Sequence, residues 1–299
     1  MDSAAVAAIR AFNRTVTERI GALDEAYLGG GRPLGETRLL WEIGPEGRPV
    51  RDLRRRLGLD AGYASRMLRA LERDGLVVVE PSREDGRVRR ARLTPRGRAE
   101  RERLDRRSDD LVRSMLQPLD ERQRERLLAA AAEAERLLRA SMIEIDPADP
   151  AERDARWCIA RYVEELGARF DDGFDPRRSL PADDADLRPP RGILLLARLH
   201  GEPVGCGVVK LHGGEPAELK RMWVSPTARG LGLGRRLLNE LEGFAAGAGA
   251  AAVRLETNRA LTEAIALYRS AGYEEVPAFN DERYAHHWFE KRLDVPGRS

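Results

Sequence analysis

A glycine-rich loop between a predicted strand and a predicted helix constrains this chain more than any other feature. Residues 229–234 read Arg-Gly-Leu-Gly-Leu-Gly, the preceding residues 218–224 are largely hydrophobic, and residues 235–241 have helical spacing. Such a loop exposes backbone N–H groups at the positive end of the helix dipole, which is a natural binding site for a pyrophosphate. Because glycines also occur in ordinary turns, the loop needs support from the rest of the sequence.

Three features after the loop supply that support. Residues 252–257 have strand character and end at Asn258. Residues 261–272 have helical apolar spacing and stop at a glycine, as many helices do. Tyr273 follows that glycine and leads into a further predicted strand.

The segment from about residue 150 to residue 293 resembles the core of the GNAT N-acetyltransferases. Their loop pattern, Gln/Arg-x-x-Gly-x-Gly/Ala, is matched by Arg229, Gly232 and Gly234. A later segment of the family is matched by residues 267–273, Leu-Tyr-Arg-Ser-Ala-Gly-Tyr. The resemblance implies an α/β acyl-CoA N-acyltransferase fold, an acyltransferase activity and acetyl-CoA as the co-substrate.

Acetyl transfer to an amine requires a way to deprotonate the amine and a way to protonate the departing thiolate. An alkyl ammonium with a pKa near 10.4 is neutral in only about one part in 10³ at pH 7. Glu218, on the strand before the loop, is the candidate base, and the resemblance implies the same role. The alternative is a surface residue paired with Lys220 or Arg221. Tyr268 is the candidate proton donor, with a core aromatic as its alternative.

The other cofactor contacts follow from the loop and from the resemblance. Asn258 is expected to hydrogen-bond the amide-bearing arm of the cofactor. The backbone of Trp223 and Val224 is expected to bind pantetheine and stabilise the oxyanion. Arg229 and Arg235 are expected to pair with phosphate oxygens. The full expected cofactor-binding set is Trp223, Val224, Arg229, Gly230, Leu231, Gly232, Gly234, Arg235, Asn258 and Tyr268.

No metal site is expected. The four histidines lie outside these motifs, and Cys158 and Cys206 are too few and too scattered for a disulfide framework or a zinc site. Both cysteines are expected to be small core residues in a reducing cytoplasm. The chain has no run of 18 apolar residues and no secretory pattern at its start, so a cytoplasmic protein without membrane association is expected. The histidines are His200, His212, His286 and His287.

The length of 299 residues suits two domains, and the charge is distributed unevenly along the chain. The net charge is only +2, whereas residues 83–107 hold eleven arginines against five acidic residues. Arginine outnumbers lysine 49 to 3 in the whole chain, so part of this excess is compositional. The local excess fits either a solvated charged face or a nucleic-acid contact.

The first 146 residues are predicted to be mainly helical, with one β-hairpin. Residues 50–73 fit a helix-turn-helix in which Asp60 caps the second helix. Two strand-like runs, 76–80 and 88–93, are joined by a turn with Asp-Gly at its tip and predict the hairpin. The other predicted helices cover residues 4–26, 36–43, 95–116 and, after Pro118, a stretch that ends at residue 143.

This hairpin resembles the wing of the MarR family of winged-helix regulators. In that family an Asp-x-Arg turn precedes a strand and an LTxxG segment; here Asp85-Gly-Arg87 precedes Leu-Thr-Pro-Arg-Gly at residues 93–97. The resemblance implies that Arg87 enters a minor groove and that Asp85 braces it. It also implies a homodimer on double-stranded operator DNA, formed through the first and last helices of the domain. The residues expected to point outward from the second helix of the helix-turn-helix, toward a major groove, are Tyr63, Ser65, Arg66 and Arg69.

Residues 146–150, Asp-Pro-Ala-Asp-Pro, resemble a short stiff linker because they hold two prolines and two acids. The predicted organisation is a mainly α winged helix-turn-helix domain at 1–146, a linker at 147–150 and an α/β GNAT domain at 151–299. No internal repeat is present.

The acceptor amine is not identified by the sequence. Helix 151–170 and loop 171–190 are expected to shape its pocket. In that case Arg161, Arg177 and Arg178 would favour an acceptor with a carboxylate.

Three functions remain open. The chain is a regulator joined to an active acetyltransferase, a regulator whose GNAT half is a non-catalytic acetyl-CoA or effector sensor, or an acetyltransferase whose winged helix serves only for dimerisation. The intact loop glycines, Asn258 and Tyr268 argue against the second function. Asp85 and Arg87 argue against the third. The sequence therefore favours the first, with a small-molecule or peptide amine as the acceptor.

Overall fold

The structure is a computed structural model that describes residues 2–22, 27–29, 31–82, 85–180, 183–213 and 216–293. The chain divides into two compact units, residues 1–131 and residues 132–299. Each unit has a β-sheet and a buried hydrophobic core of its own.

The first unit is a helical domain with a small three-stranded sheet, in agreement with the sequence. Its elements are α1 (Ser3–Arg19), α2 (Leu34–Ile43), β1 (Arg48–Pro49), α3 (Val50–Leu57), α4 (Ala61–Arg73), β2 (Val77–Pro81), β3 (Arg89–Leu93), α5 (Pro95–Leu116) and α6 (Glu121–Ser141), which continues into the second unit. The sheet order is β1-β3-β2, and β2 and β3 form the predicted antiparallel hairpin.

The helix-turn-helix is held by local capping and by a leucine core. Gly58 ends α3 in the left-handed region at φ 61°, which glycine adopts without a steric penalty. The Asp60 side chain accepts a hydrogen bond from the N–H of Tyr63 and caps α4, as predicted. Leu53 and Leu71 are at most 1% exposed and pack in one cluster between the helices and the hairpin.

The first helix is shorter than the sequence predicted. It ends at Arg19, and Gly21 follows in the left-handed region at φ 64°. Residues 23–26 of the predicted helix lie outside the described residues.

The second unit is a mixed α/β layer. Its elements are β4 (Ile143–Pro147), α7 (Arg153–Arg169), β5 (Gly192–Leu199), β6 (Glu202–Lys210), β7 (Ala217–Val224), α8 (Leu233–Gly247), β8 (Ala252–Thr257), α9 (Thr262–Ser270), β9 (Glu274–Glu275) and β10 (His287–Arg292). The strands form one seven-stranded sheet in the order β4-β5-β6-β7-β8-β10-β9. All neighbouring pairs are antiparallel except β7 and β8, which are parallel.

The predicted linker is instead an edge strand and a turn. Strand β4 pairs with β5 from Ile143↔Leu199 to Pro147↔Leu195. Pro147 is tolerated at the end of β4 because an edge strand has one side without a neighbouring strand, and Pro150 lies in the turn that follows. Asp149 forms a salt bridge to Arg188 (2.6 Å) in the same unit. The boundary between the compact units therefore lies earlier than residues 147–150.

The two parallel strands separate part-way along their length. In the described residues β7 pairs with β8 only at Ala217↔Val253 and Glu218↔Arg254, although β7 continues to Val224. A bulge opposite β6 adds to the divergence, since Arg221 has φ 53° and the register shifts there. The separation opens the sheet, and the candidate site lies at this opening.

Candidate functional site

The glycine loop turns from β7 into α8 as the sequence predicted. Gly230 and Gly232 have φ of 76° and 73°, and a Cβ built on either would meet no atom within 4 Å. Gly232 is the N-cap of α8, whose first N–H groups have no acceptor within the helix. The loop therefore presents open space and backbone donors at the positive end of a 15-residue helix.

A cavity of about 560 Å³, called here the loop cavity, lies beside the glycine loop. Nine of the ten residues expected to bind the cofactor line it or belong to the loop that borders it. Trp223 and Val224 contribute from the separated end of β7, and Leu231 is buried at 8% exposure beneath the loop. The lining members of the expected set are Trp223, Val224, Arg229, Gly230, Gly232, Gly234, Arg235 and Tyr268.

The two arginines of the loop region are already engaged. The Arg229 guanidinium forms a salt bridge to Glu165 on α7 (2.6 Å) and donates from Nε to the carbonyl of Val224 (3.2 Å). Arg235 donates to the carbonyl of Ser270 (3.0 Å) at the end of α9. A phosphate oxygen in this cavity would compete with Glu165 for Arg229.

A second cavity of about 440 Å³, the aromatic cavity, lies on the other side of the opening. Helix α7 and the segment 174–180 contribute to its wall. Both lie in the stretch that the sequence analysis assigned to the acceptor pocket. The two cavities share six lining residues, which are Tyr162, Leu166, Met222, Leu261, Ala264 and Tyr268. The two spaces therefore meet at a common wall formed by α7, β7 and α9.

Tyr268 belongs to the wall that the two cavities share. It is 6% exposed and lies at the junction of the two cavities. Burial, with a smaller contribution from the nearby Glu256 carboxylate, raises the pKa of Tyr268 well above its usual range. Its phenol therefore stays protonated at neutral pH and is available as a hydrogen-bond donor.

The structure does not bring Glu218 to either cavity. It lies on the part of β7 that still pairs with β8, and it contacts Arg254 (3.3 Å) and His212 (3.4 Å). Burial raises the pKa of Glu218, but Lys220, His212 and Arg254 outweigh that effect and lower it overall. A carboxylate whose pKa is lowered by such neighbours is a weaker base, which favours the alternative of a paired strand residue.

Sequence reasoning overlooked Glu256 and Tyr162. Glu256 lines the aromatic cavity from the end of β8, forms a salt bridge to Lys220 and accepts a hydrogen bond from Asn280 (3.3 Å). Tyr162 lines both cavities from α7, and burial raises its pKa well above the usual range. Glu256 lies two residues before Asn258, so a search for carboxylates near that motif would have found it.

Asn258 lies in the aromatic cavity and not in the loop cavity. Its side chain donates to the carbonyl of Tyr284 (2.7 Å) and accepts from the N–H of Ala260 (2.9 Å). These bonds fix the turn after β8, so the described contacts of Asn258 are structural.

The arginines expected to favour a carboxylated acceptor do not line the aromatic cavity. Arg161 pairs with Glu164 and Arg177 with Asp175, while Arg178 is exposed outside the lining. The charge of the cavity comes from other residues.

The winged-helix residues form an open face. Tyr63 is 43% exposed, and the Arg66 guanidinium lies 5.6 Å from the centre of its ring. Arg69 is also exposed on α4, whereas Ser65 is half-buried beside it. The helix therefore presents the predicted polar face to solvent.

The tip of the hairpin is ordered by a short-range hydrogen bond. The Asp85 carboxylate accepts from the backbone N–H of Arg87 (3.0 Å), and the carbonyl of Asp85 accepts from the N–H of Val88 (2.9 Å). Asp85 therefore braces the turn through the backbone, and the Arg87 side chain is exposed. Residues 83 and 84 of this turn lie outside the described residues.

Comparison with known proteins finds a family match in each half of the chain. Residues 157–273 match the acetyltransferase (GNAT) family, and 122 residues, 40% of this chain, are 38% identical to 80% of an IAA acetyltransferase from Azospirillum brasilense. The chain belongs to the GNAT family. Residues 31–88 match the MarR family, so this GNAT acetyltransferase carries a MarR-type region before it.

Other acetyltransferases are also similar to part of this GNAT protein. The N-alpha-acetyltransferase RimI of Mycobacterium tuberculosis is 36% identical over 120 residues, which cover 39% of this chain and 73% of RimI. A crystal structure of a GNAT acetyltransferase from Staphylococcus aureus is 17% identical, with a TM-score of 0.43, over 51% of this chain and 99% of that chain.

Two further observations concern metals and membranes. Among the described residues, no group of three or more histidines, cysteines or acids is arranged to hold a metal ion. No helix in the described part of the chain is long and apolar enough to cross a membrane. Cys158 and Cys206 are fully buried, as expected of core residues.

Proposed function

We propose that this GNAT acetyltransferase moves the acetyl group of acetyl-CoA to a primary amine and that its MarR-type unit binds operator DNA. The observation that carries the first part is the meeting of two cavities at Tyr162 and Tyr268. One cavity has an anion-binding loop and the other has a carboxylate, Glu256, in its wall. A reaction between a phosphate-bearing donor and an amine requires two such spaces with a common wall.

The loop cavity fits a coenzyme A group. The space that a Cβ would fill at Gly230 and Gly232 is open, and the N-terminal amides of α8 border it. Trp223 and Val224 lie beyond the last pair between β7 and β8, so the edge of β7 that faces β8 has no strand partner there. Those backbone groups support a role in holding an extended amide-bearing arm.

Acetyl-CoA supplies a thioester, so that a C–N bond to the amine forms as the C–S bond breaks, the amine loses a proton and the thiolate gains one. Glu256 is the carboxylate placed to take up the amine proton, directly or through water. Tyr268 is the donor placed at the junction. Because a thiol pKa near 8.5 is below the raised pKa of this phenol, Tyr268 is expected to stabilise the leaving sulfur by hydrogen bonding and to remain protonated. The thiolate then takes its proton from water.

The DNA proposal rests on the exposed face of α4 and on the hairpin. Tyr63, Arg66 and Arg69 offer one aromatic and two cationic side chains, and Arg87 extends from the hairpin tip. Arginines suit base edges and phosphates. One unit that neutralises a few phosphates binds weakly, whereas two half-sites bring specific affinities into the range of roughly 10⁻⁸–10⁻¹¹ M.

A homodimer would supply the second half-site. Helix α1 exposes one apolar row, in which Ile9 is 57% and Phe12 is 46% exposed. Leu127 and Leu128 on α6 are also exposed. Exposed apolar rows of this kind mark association surfaces, which supports pairing through the first and last helices of the domain.

A release assay tests the acetyl-transfer proposal. Full-length protein is incubated with acetyl-CoA and a panel of amines, amino acids and peptides, and free thiol is measured together with acetylated product by mass spectrometry. We expect thiol release that depends on an amine, and a 10- to 10²-fold lower kcat in Tyr268→Phe with acetyl-CoA affinity nearly unchanged. Tight acetyl-CoA binding without release for any amine would indicate the sensor alternative.

A further inference from the structure

The wall of the aromatic cavity suits a flat ring. The ring centroids of Phe170 and Phe174 lie 5.8 Å apart, and that of Tyr284 lies 4.9 Å from Phe174. The Tyr284 hydroxyl accepts a hydrogen bond from the N–H of Asp175 (3.1 Å), so its polar end is engaged outside the space. Leu180, 39% exposed, adds an apolar rim. Ring clusters of this kind bind a further aromatic group in offset or edge-on geometry.

The charged groups of the cavity favour a cation over an anion. Its lining holds three carboxylates and two cations, and Lys220 is already paired with Glu256. An ammonium is therefore attracted to the site. A carboxylate on the same molecule would be repelled, because acidic residues outnumber basic ones in the lining. The carboxylates are Asp183, Glu256 and Glu282, and the cations are Lys220 and Arg221.

Hydrogen bonds hold the segment beside the aromatic cavity in place. The Glu282 carboxylate accepts hydrogen bonds from the hydroxyl of Ser179 (2.8 Å) and the N–H of Leu180 (2.7 Å). Together with the bond from Asp175 to Tyr284, these contacts hold residues 175–180 against residues 282–284. A polypeptide acceptor would need an open groove, so this fastening and the volume of about 440 Å³ favour a small molecule.

We infer that the acceptor is a small aromatic primary amine that carries no carboxylate. Its ring lies against Phe170, Phe174 and Tyr284, and its amino group lies at the Glu256 end of the cavity. This inference rests on the proposed acetyl transfer and names the substrate class for the same site.

Four probes test the substrate class with the full-length protein: 2-phenylethylamine, L-phenylalanine, butylamine and a tripeptide with an N-terminal alanine. We expect kcat/KM for 2-phenylethylamine to exceed that of each other probe by at least about tenfold, since the ring and the absence of a carboxylate each contribute. Calorimetric titration of 2-phenylethylamine into protein without acetyl-CoA gives a second readout that does not depend on turnover.

Phe174→Leu removes the ring but keeps an apolar side chain. It is expected to weaken 2-phenylethylamine binding about 2- to 10-fold and to change butylamine turnover by a smaller factor, because butylamine has no ring to lose a ring contact. Phe279→Leu is the matched control, because Phe279 packs under Arg254 and lines neither cavity. The control is expected to bind 2-phenylethylamine like the wild type.

The outcomes separate the inference from the proposed function. Faster turnover of L-phenylalanine, butylamine or the tripeptide would overturn the aromatic class and leave acetyl transfer standing. Thiol release with none of the probes, while 2-phenylethylamine still binds in a Phe174-dependent way, would count against catalysis and support the ligand class. Absence of calorimetric binding would overturn the inference.

Discussion

The two units of this protein present charge in opposite ways. On the winged helix, Arg66, Arg69 and Arg87 are exposed and form no salt bridge among the described residues. Around the cavities of the acetyltransferase unit several charges are paired, as in Arg229 with Glu165 and Lys220 with Glu256. Unpaired surface cations suit a polyanion that supplies the counter-charge. Paired charges at a cavity suit a small ligand, because each ligand group replaces an existing partner.

The largest expected effect tests the paired carboxylate at the aromatic cavity. Glu256→Gln keeps the shape of the side chain and removes the proposed base, so kcat/KM at pH 7 should fall about 10²- to 10³-fold. The rate should recover in part as rising pH supplies neutral amine. A pH profile of thiol release from pH 6 to 10 measures both.

The matched control for this carboxylate is Glu218→Gln. Because Glu218 lines neither cavity, its rate should stay within about threefold of the wild type, a change under 1 kcal/mol in barrier height. A large loss in Glu218→Gln with little change in Glu256→Gln would restore Glu218 as the base.

The next effect concerns the glycine loop, where the proposed phosphate of acetyl-CoA would take the place that a side chain would fill. Gly232→Val places a branched side chain in the open space at φ 73° and should weaken acetyl-CoA binding at least about 30-fold, as two lost backbone contacts would. Calorimetry on the folded variant measures this.

Gly249→Val controls for backbone strain at the glycine loop. Gly249 has φ 87°, also has no atom within 4 Å of a built Cβ, and lies outside both cavity linings. It should lose stability but keep acetyl-CoA affinity. Equal acetyl-CoA affinity in Gly232→Val and the wild type would mean that the loop is only a turn and does not bind the cofactor.

The same contrast explains what the sequence could predict. Local signals identified elements and surfaces correctly: Asp60 caps α4, Gly58 ends α3, and Gly232 starts α8. These features depend on a few neighbouring residues. The open face of α4 follows from one helical period, so its outward side chains were also predicted.

Features that depend on distant pairing were missed. Residues 146–150 look like a linker, but residues 143–147 form a strand because β5, about 50 residues later, offers an edge. Glu218 was predicted to be the base and Glu256 was overlooked, because nothing local shows where β7 and β8 stop pairing. The position of that divergence decides which carboxylate reaches the cavity, and it is a property of the whole sheet.

A smaller effect tests the unpaired surface cations. Arg87→Ala should weaken binding to DNA from upstream of the protein's own gene and reduce the slope of log K against log salt by about 0.9, the value for one phosphate contact. Arg66→Ala should weaken binding with greater dependence on DNA sequence. Fluorescence anisotropy between 50 and 300 mM salt measures both. The protein is titrated over concentrations that span the affinity expected for specific DNA binding.

Arg113→Ala is the control for these arginines. Arg113 is exposed on α5 and paired with Asp110 (2.7 Å), so its charge is already matched. Its salt slope should equal that of the wild type. If Arg87→Ala, Arg66→Ala and Arg113→Ala all behave alike, the winged helix does not read DNA through the predicted residues.

The smallest effect tests whether the charge pairing around Glu218 serves stability. The pKa of Glu218 is lowered in the folded protein by Lys220, His212 and Arg254, which outweigh burial. A lowered folded-state pKa stabilises the protein above the usual carboxylate pKa near 4.3, and this stabilisation disappears as the pH falls through the folded-state value. Glu218→Gln should therefore lower the free energy of unfolding by about 1 kcal/mol at pH 7.

Urea unfolding of the wild type and of Glu218→Gln measures this effect. The two free energies of unfolding should converge as the pH falls below about 4.3, the ordinary carboxylate pKa. Glu144→Gln on the exposed face of β4 should show no difference at either pH. A constant gap across the whole pH range would mean that packing, and not paired charge, accounts for the contribution of Glu218.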